Sequence, residues 1–370
     1  MPRSEAGRRT IIRGLGAAFP PTVRLNDAWP KDFGQRLKEQ SKRDFTTLEV
    51  AKDGSGVRLD SAISTAMAPY IDDPFRGAVR RRVLAPGETA SELEALAARR
   101  ALDDAGVKAK DVDLAFIVSH LPDLAQPTNG PALQANVGLE RAMVLSADVA
   151  CASFLAHWVL ADGLLRTGAA RTILAVQSVT MSRFLDLNLP ASVHMGDGAS
   201  AAVFTLADED GRGMMSHWAR TDGSLRDAIV LTYADERGVP SRTFDRDSGR
   251  PLTFTTLDPE VGKRAGIISA KWCREASLAA LELAGHGIGD IAYFFGPQSI
   301  KWLPDACRLS LGLEKEQAPD SYDEVANISA STIPYNLLLA REQGLLREGT
   351  LLLLYAPGVG MHRIASVVRW

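Results

Sequence analysis

The chain has 370 residues, enough for two ordinary domains or one large fused unit with a sizeable core. Its 46% hydrophobic and 24% charged content is that of a globular protein and excludes disorder, collagen-like repeats and coiled coil as whole-chain states. With 42 lysines and arginines against 45 acids, a net charge of -3, it has no basic field to gather a nucleic acid. Three cysteines, Cys151, Cys273 and Cys307, are too few and too scattered for a disulfide framework or a CxxC metal knuckle. A reducing, cytoplasmic setting and no metal are therefore expected. The N-terminal MPRSEAGRRTIIRG is charged and has no apolar h-region, and no apolar run approaches the ~20 residues of a membrane helix. Neither export nor a membrane partner is expected.

In chain order, ASELEALAARRALDDAG at 90–106 reads as a helix and LAFIV at 114–118 as a buried strand. CASFLAHWVLADGLLRTG at 151–168 is a second helix, followed by strands TILAV at 172–176 and AAVFTL at 201–206. IAYFF at 291–295 and LLLLY at 351–355 complete an alternation that predicts an α/β fold.

The two halves echo each other. ALDDAG ending at Gly106 returns as LELAG ending at Gly285, an offset of 179; DLAFIV from Asp113 returns as DIAYFF from Asp290, an offset of 177. GLLRTG from Gly163 returns as GLLREG from Gly344, an offset of 181. Three ordered matches at nearly constant spacing predict a duplicated unit. Paired halves bring equivalent elements to a pseudo-twofold axis, so the helix starts near Cys151 and Ala330 and the strand ends near His120 and Pro297 are the places to look for chemistry.

Cys151 opens a helix that is apolar almost all round, so the helix is expected to be buried with its N-terminus at a cavity, where the macrodipole favours a nucleophilic thiolate. GDGASAAVF at 196–204 joins a tight turn to a strand. With ANISASTIP at 326–334 and APGVGMHRIASVVRW at 356–370, these motifs form a family pattern. The chain resembles the thiolase superfamily, most closely its ketoacyl-ACP synthase III branch, from TIIRGLGAAFP near the start through APGET at 85–89 to Trp370.

That resemblance implies a five-layered αβαβα fold from duplicated α/β halves, here 1–207 with the nucleophile and 208–370. It implies a homodimer, expected to pair the strand at 172–176 with its mate. It also implies acyl thioesters of CoA or acyl carrier protein as substrates, with no further cofactor. The branch uses Cys, His and Asn. Cys151 matches the nucleophile and Asn327 the asparagine of the family's GNxSA motif. The family's PHQAN, set on residues 297–301, puts Gln298 at the catalytic histidine. An amide there cannot accept and return a proton, and such a loss costs ~10²- to 10⁴-fold. Decarboxylative condensation is therefore expected to be poor or absent.

Backbone N–H groups of Cys151 and Val359 would form the oxyanion hole. His120, at a strand end from which the related HMG-CoA synthases present a glutamate, is either a relocated base or a loop histidine bonded to backbone. His194 is expected to line the pocket or pack, and His157 to be a satisfied core residue. Arg80, Arg81 and Arg82 lie near where the family meets CoA phosphates, although a solvated basic run is the simpler reading. The stretch 38–76 is longer than its family counterpart and reads as a cover over the substrate entrance, a surface decoration or a dimer arm. The function expected is acyl transfer from a thioester through Cys151 to an acceptor, without malonyl decarboxylation, in polyketide or other specialised biosynthesis. The alternative is a non-catalytic acyl-binding or scaffold subunit paired with an active homologue.

Overall fold

A computed structural model describes residues 8–36, 61–208, 211–233 and 252–370. The first-half strands are β1 (Thr10–Ala18), β2 (Val23–Leu25), β3 (Arg80–Arg82), β4 (Leu114–His120), β5 (Met143–Ser146), β6 (Ile173–Val179) and β7 (Gly198–Leu206). The second half supplies β8 (Gly213–Thr221), β9 (Val230–Tyr233), β10 (Leu252–Thr255), β11 (Tyr293–Phe295), β12 (Leu351–Gly358) and β13 (His362–Arg369). The helices are α1 (Ser61–Met67), α2 (Ala90–Ala105), α3 (Gly130–Val137), α4 (Ser153–Arg166), α5 (Pro259–Ala284), α6 (Trp302–Leu311), α7 (Tyr322–Val325) and α8 (Thr332–Glu342). All five apolar runs of the sequence are strands.

The two main sheets have orders β1-β7-β6-β4-β5 and β8-β13-β12-β11. Along both, successive pairs are antiparallel, antiparallel and parallel. Leu114 pairs with Ile173 and Tyr293 with Leu352, so both strands of the parallel pair recur at an offset of 179. Gly106 and Gly285, left-handed caps at φ 65° and 73°, share that offset, as do the 3-10 turns 150–152 and 329–331. Two sequence echoes are less exact: DLAFIV and DIAYFF lie two residues out of this register, and GLLRTG begins inside α4 whereas GLLREG begins after α8 has ended.

The layers follow from strands buried on both faces. In β6, Leu174 and Val176 pack outward on α2 and α3, while Ile173 and Ala175 pack inward on α4. In β12, Leu352 and Leu354 face α4 and α8, while Leu351 and Leu353 face α5 and α6. The result is five layers with α4 and α8 in the middle. On the first outer face α2 lies directly on β1, because Gly14 and Gly16 have no side chain: a Cβ on Gly16 would stand 2.3 Å from the Ala97 carbonyl oxygen.

One feature differs from expectation. Strand β6 is interior, flanked by β7 and β4, so the 172–176 strand cannot pair with a mate; of the two edge strands, β1 and β5, the more exposed is β5. The stretch 38–76 lies partly outside the described residues, and its described part begins with α1, whose Ile63 and Ala66 pack on Ala270 of α5 and Ala306 of α6. The halves also diverge in one connection: β6 reaches β7 through residues 180–197, whereas β12 reaches β13 through residues 359–361. Among the described residues, no helix is long and apolar enough to cross a membrane.

Candidate active site

Cys151 sits in the 3-10 turn Ala150–Ala152, just before α4 rather than on its first residue. Ala150 takes φ +53°, a strained conformation for alanine, held by its N–H donating to Asp148 Oδ1 at 2.7 Å. Ser153 Oγ accepts from Val149 N–H and donates to the Ala150 carbonyl, which closes the turn. From the other half, Gly358 lets the β12–β13 turn press against this loop; a Cβ there would stand 2.2 Å from the Val149 carbonyl oxygen. Val359 thereby lines the same cavities as Cys151. Depth in the protein pushes the Cys151 thiol up, outweighing the bond from Ser329 and the backbone that favour the thiolate. The expected thiolate thus meets an opposing influence: burial is the largest effect on this thiol and raises it, so a base that takes its proton helps it act as a nucleophile.

The equivalent turn of the second half faces it. Ser329, at φ +52°, places Oγ 3.1 Å from Cys151 Sγ and 2.8 Å from His120 Nδ1. His120, buried at the end of β4, directs Nε2 to within 3.7 Å of Asp148 Oδ1, an ion-pair distance when the imidazole is protonated and too long for a hydrogen bond. Nε2 is buried and has no hydrogen-bond partner among the described residues. The neighbouring imidazole holds the Asp148 carboxyl below the usual carboxylate range, against the effect of burial. Asn327 Oδ1 accepts the Ser329 N–H at 2.8 Å, and its Nδ2 reaches only the weak acceptor Met195 Sδ, at 3.4 Å. Backbone pairing of Asn327 with His194 and Gly196 ties this loop to the 196–199 turn, where a Cβ on Gly196 would stand 2.2 Å from the Val325 carbonyl oxygen.

Gln298 requires correction. Its Oε1 accepts from Asn336 Nδ2 at 2.6 Å and Ser321 N–H at 3.0 Å, and its Nε2 donates to Ser321 Oγ and the Ala326 carbonyl, both at 3.3 Å. The amide is occupied in a buried structural network and is not free for a thioester. Its neighbour Pro297 offers no side-chain donor or acceptor either. Arg81 is also reassigned: strand alternation turns it inward, where its Nε donates to the Val193 carbonyl and its guanidinium lies 4.5 Å over Trp29. None of Arg80, Arg81 and Arg82 lines either cavity at Cys151.

His194 does line the cavity; Nδ1 is 2.7 Å from the Tyr322 hydroxyl, and burial together with Arg81 and Arg76 pushes its pKa down to about 3. His157 is the satisfied core residue expected, bonded to the Ala147 carbonyl and to Gln177. Sequence reasoning missed Ser329 and Asp148. The signal for Ser329 was available, since the offset of 179 makes it the counterpart of Ala150 beside the nucleophile.

Cys151 stands where two cavities meet. One, of about 400 Å³, is walled by His120, Met181, His194, Leu231 and Phe254. The other, of about 240 Å³, is walled by Gly262, Gly266, Trp272, Trp302 and Tyr355. Both walls are mostly apolar, so an acyl chain fits either, and reactants can approach the sulfur from two sides.

Two family models match: "3-Oxoacyl-[acyl-carrier-protein (ACP)] synthase III" at residues 145–223, and its C-terminal counterpart at 281–370. The chain is 30% identical over 364 residues, 98% of its length and 99% of the relative's, to a β-ketoacyl-[acyl-carrier-protein] synthase III of Sphingopyxis alaskensis. The crystal structure of a β-ketoacyl-[acyl carrier protein] synthase III from Thermus thermophilus superposes with a TM-score of 0.73 at 27% identity, covering 97% of this chain and 98% of that one. A 3-oxoacyl-(acyl carrier protein) synthase III from Pseudomonas aeruginosa PAO1, 23% identical, shares the fold at a TM-score of 0.75 over 98% of both chains.

Proposed function

The chain belongs to the 3-oxoacyl-[acyl-carrier-protein] synthase III family of acyl-transferring, ketosynthase-type enzymes, and from that premise we propose that it loads an acyl group onto Cys151 and passes it to an acceptor without decarboxylating a malonyl unit. One observation carries this reading: a cysteine between two apolar cavities has a histidine within reach through Ser329, while Pro297 and Gln298 leave the second-half strand end without a base. Asn327 Nδ2 and the backbone N–H groups of Cys151 and Val359 are the donors assigned to the thioester oxygen. The acceptor supplies its own nucleophile, an alcohol, an amine or a pre-formed carbanion, as suits specialised biosynthesis such as polyketide tailoring.

The donor is an acyl thioester of CoA or of acyl carrier protein, and no further cofactor is needed. We take 1–207 and 208–370 as the working halves, a division supported by the chain order of the two sheets. Three free thiols support a reducing, cytoplasmic setting. Intact-protein mass after exposure to a panel of acyl thioesters tests the reading. One acyl mass should appear, disappear in Cys151→Ala and persist in Cys273→Ala and Cys307→Ala, with no carbon dioxide released from malonyl thioesters. Silence across the panel would favour the acyl-binding scaffold; brisk malonyl decarboxylation would refute the proposed chemistry.

A further inference from the structure

We propose that Cys151, Ser329, His120 and Asp148 form a single proton relay in which the two nitrogens of His120 act in turn: Nδ1 serves the sulfur through the Ser329 hydroxyl, and Nε2 serves the substrate. The inference deepens the proposed function and rests on it for the identity of the reactants. Its geometric basis is the chain of contacts from Sγ to Oγ at 3.1 Å, Oγ to Nδ1 at 2.8 Å, and Nε2 to the Asp148 carboxylate at 3.7 Å. No direct bond joins His120 to Cys151 among the hydrogen bonds of the described residues, so the serine hydroxyl is the bridge. Because Nε2 is buried without a hydrogen-bond partner among those residues, and His120 and Asp148 both line the larger cavity, Nε2 is the nitrogen left for a substrate.

A hydroxyl between sulfur and imidazole can point either way, and each direction fits one half of the reaction. In the structure the Ser329 O–H donates to Cys151 Sγ; for loading it turns to the imidazole, so that the Cys151 S–H donates to Ser329 Oγ, Ser329 O–H donates to Nδ1, and Nε2–H faces Asp148. As Sγ attacks the thioester carbonyl, the thiol proton moves to Oγ and the serine proton moves to Nδ1, leaving an imidazolium beside the carboxylate. The new Sγ–C bond forms, the donor's C–S bond breaks, and the departing thiolate takes the proton from Nε2. His120 is then neutral with its proton on Nδ1 and a lone pair on Nε2 facing the cavity. Ser329 has reversed and donates toward the acylated sulfur.

That second tautomer is the one the transfer step needs. An acceptor O–H or N–H gives its proton to Nε2 while its heteroatom bonds to the acyl carbon and the C–S bond to Cys151 breaks. The sulfur recovers a proton from Ser329, Ser329 recovers one from Nδ1, and the starting state returns. Loading thus sets the base for transfer, and transfer resets it. The resting thiol, pushed up by its depth in the protein, is a group that needs such a path. The titratable groups around His120 in the cavity are Asp148, Cys151 and His194; behind β4, buried Glu94 takes a bond from the adjacent Ser119.

The test is the pH profile of Cys151 alkylation by iodoacetamide, read by intact mass, in a double-mutant cycle of Ser329→Gly and His120→Gln. Glycine suits the φ of +52° at this position, so the hydroxyl is lost without added backbone strain, and thermal midpoints verify folding of each variant. In the unmodified protein the alkylation rate should carry an inflection from imidazole titration. In each single variant that inflection should vanish, with reactivity moving to higher pH, and the double variant should lose no more than either single one. Loading from a reactive acyl thioester should fall by ~10²-fold or more in both single variants. Independent, additive effects, or an unchanged alkylation profile in Ser329→Gly, would overturn the relay. Because alkylation reads the thiol itself, a coupled profile without acylation by any thioester sinks the proposed function and leaves the relay standing; normal loading with an uncoupled profile does the reverse.

Discussion

His157 and His194 are both deep imidazoles held neutral, the first with its pKa down at about 4 and the second at about 3, burial being the main cause in each. Their ordinary value is about 6.5, so between that pH and their folded values the unfolded chain binds protons that the folded chain refuses. Stability therefore rises with pH through this window and falls as the solution is acidified below about 6, each group contributing up to ~1.4 kcal/mol per pH unit. Glu94 and Asp197, whose carboxyls burial pushes up, act in the opposite sense and offset part of the slope. Denaturant titrations at pH 5 and pH 7 should show the loss, and His157→Gln should flatten the slope by close to one proton. An unaltered slope in that variant would show that His157 is already charged in the fold.

At the level of the element, the α2–β1 contact depends on two hydrogens. Gly16→Ala forces a methyl against the Ala97 carbonyl and should cost about 1–3 kcal/mol, as overpacking of a tight interior does; a urea midpoint matching that of the unmodified protein would contradict the contact. The buried strands, α2 and the apolar helix after Cys151 were legible in the sequence because short apolar runs and apolar-rich stretches of helical length are local signals. Sheet order was not. Strands buried on both faces read alike, so nothing in TILAV at 172–176 distinguishes an interior strand from an edge. Arg81 was hidden by its neighbours, since alternation cannot be seen in three identical residues. Ser329 meets His120 across 209 positions, and no spacing rule reaches that far; only the duplication offset points to it. Gln298 shows the converse, a residue that a motif points to and whose amide the structure occupies with bonds to Ser321 and Asn336.

For the whole molecule, the β5 edge of the first sheet is the surface most in need of a partner. Strand β5 leaves Met143 63% and Leu145 36% exposed beside an unpaired row of backbone groups, the kind of edge that proteins cover or blunt. A homodimer joined there should scatter light as twice the 39.8 kDa chain, and Met143→Lys combined with Leu145→Lys should shift it toward monomer. A single 39.8 kDa species at micromolar concentration would rule the dimer out. The unequal connections between the last two strands of each half have a different consequence. Residues 180–197 furnish Met181, Ala191, His194 and Met195 to the larger cavity, whereas residues 359–361 furnish Val359 and little else. Part of the chamber's wall thus sits in a segment outside the two main sheets and outside the sulfur's proton path. Changes in this detour therefore alter the cavity wall without touching the strands of either main sheet, and reach the catalytic loop only through the pairing of His194, Met195 and Gly196 with Asn327.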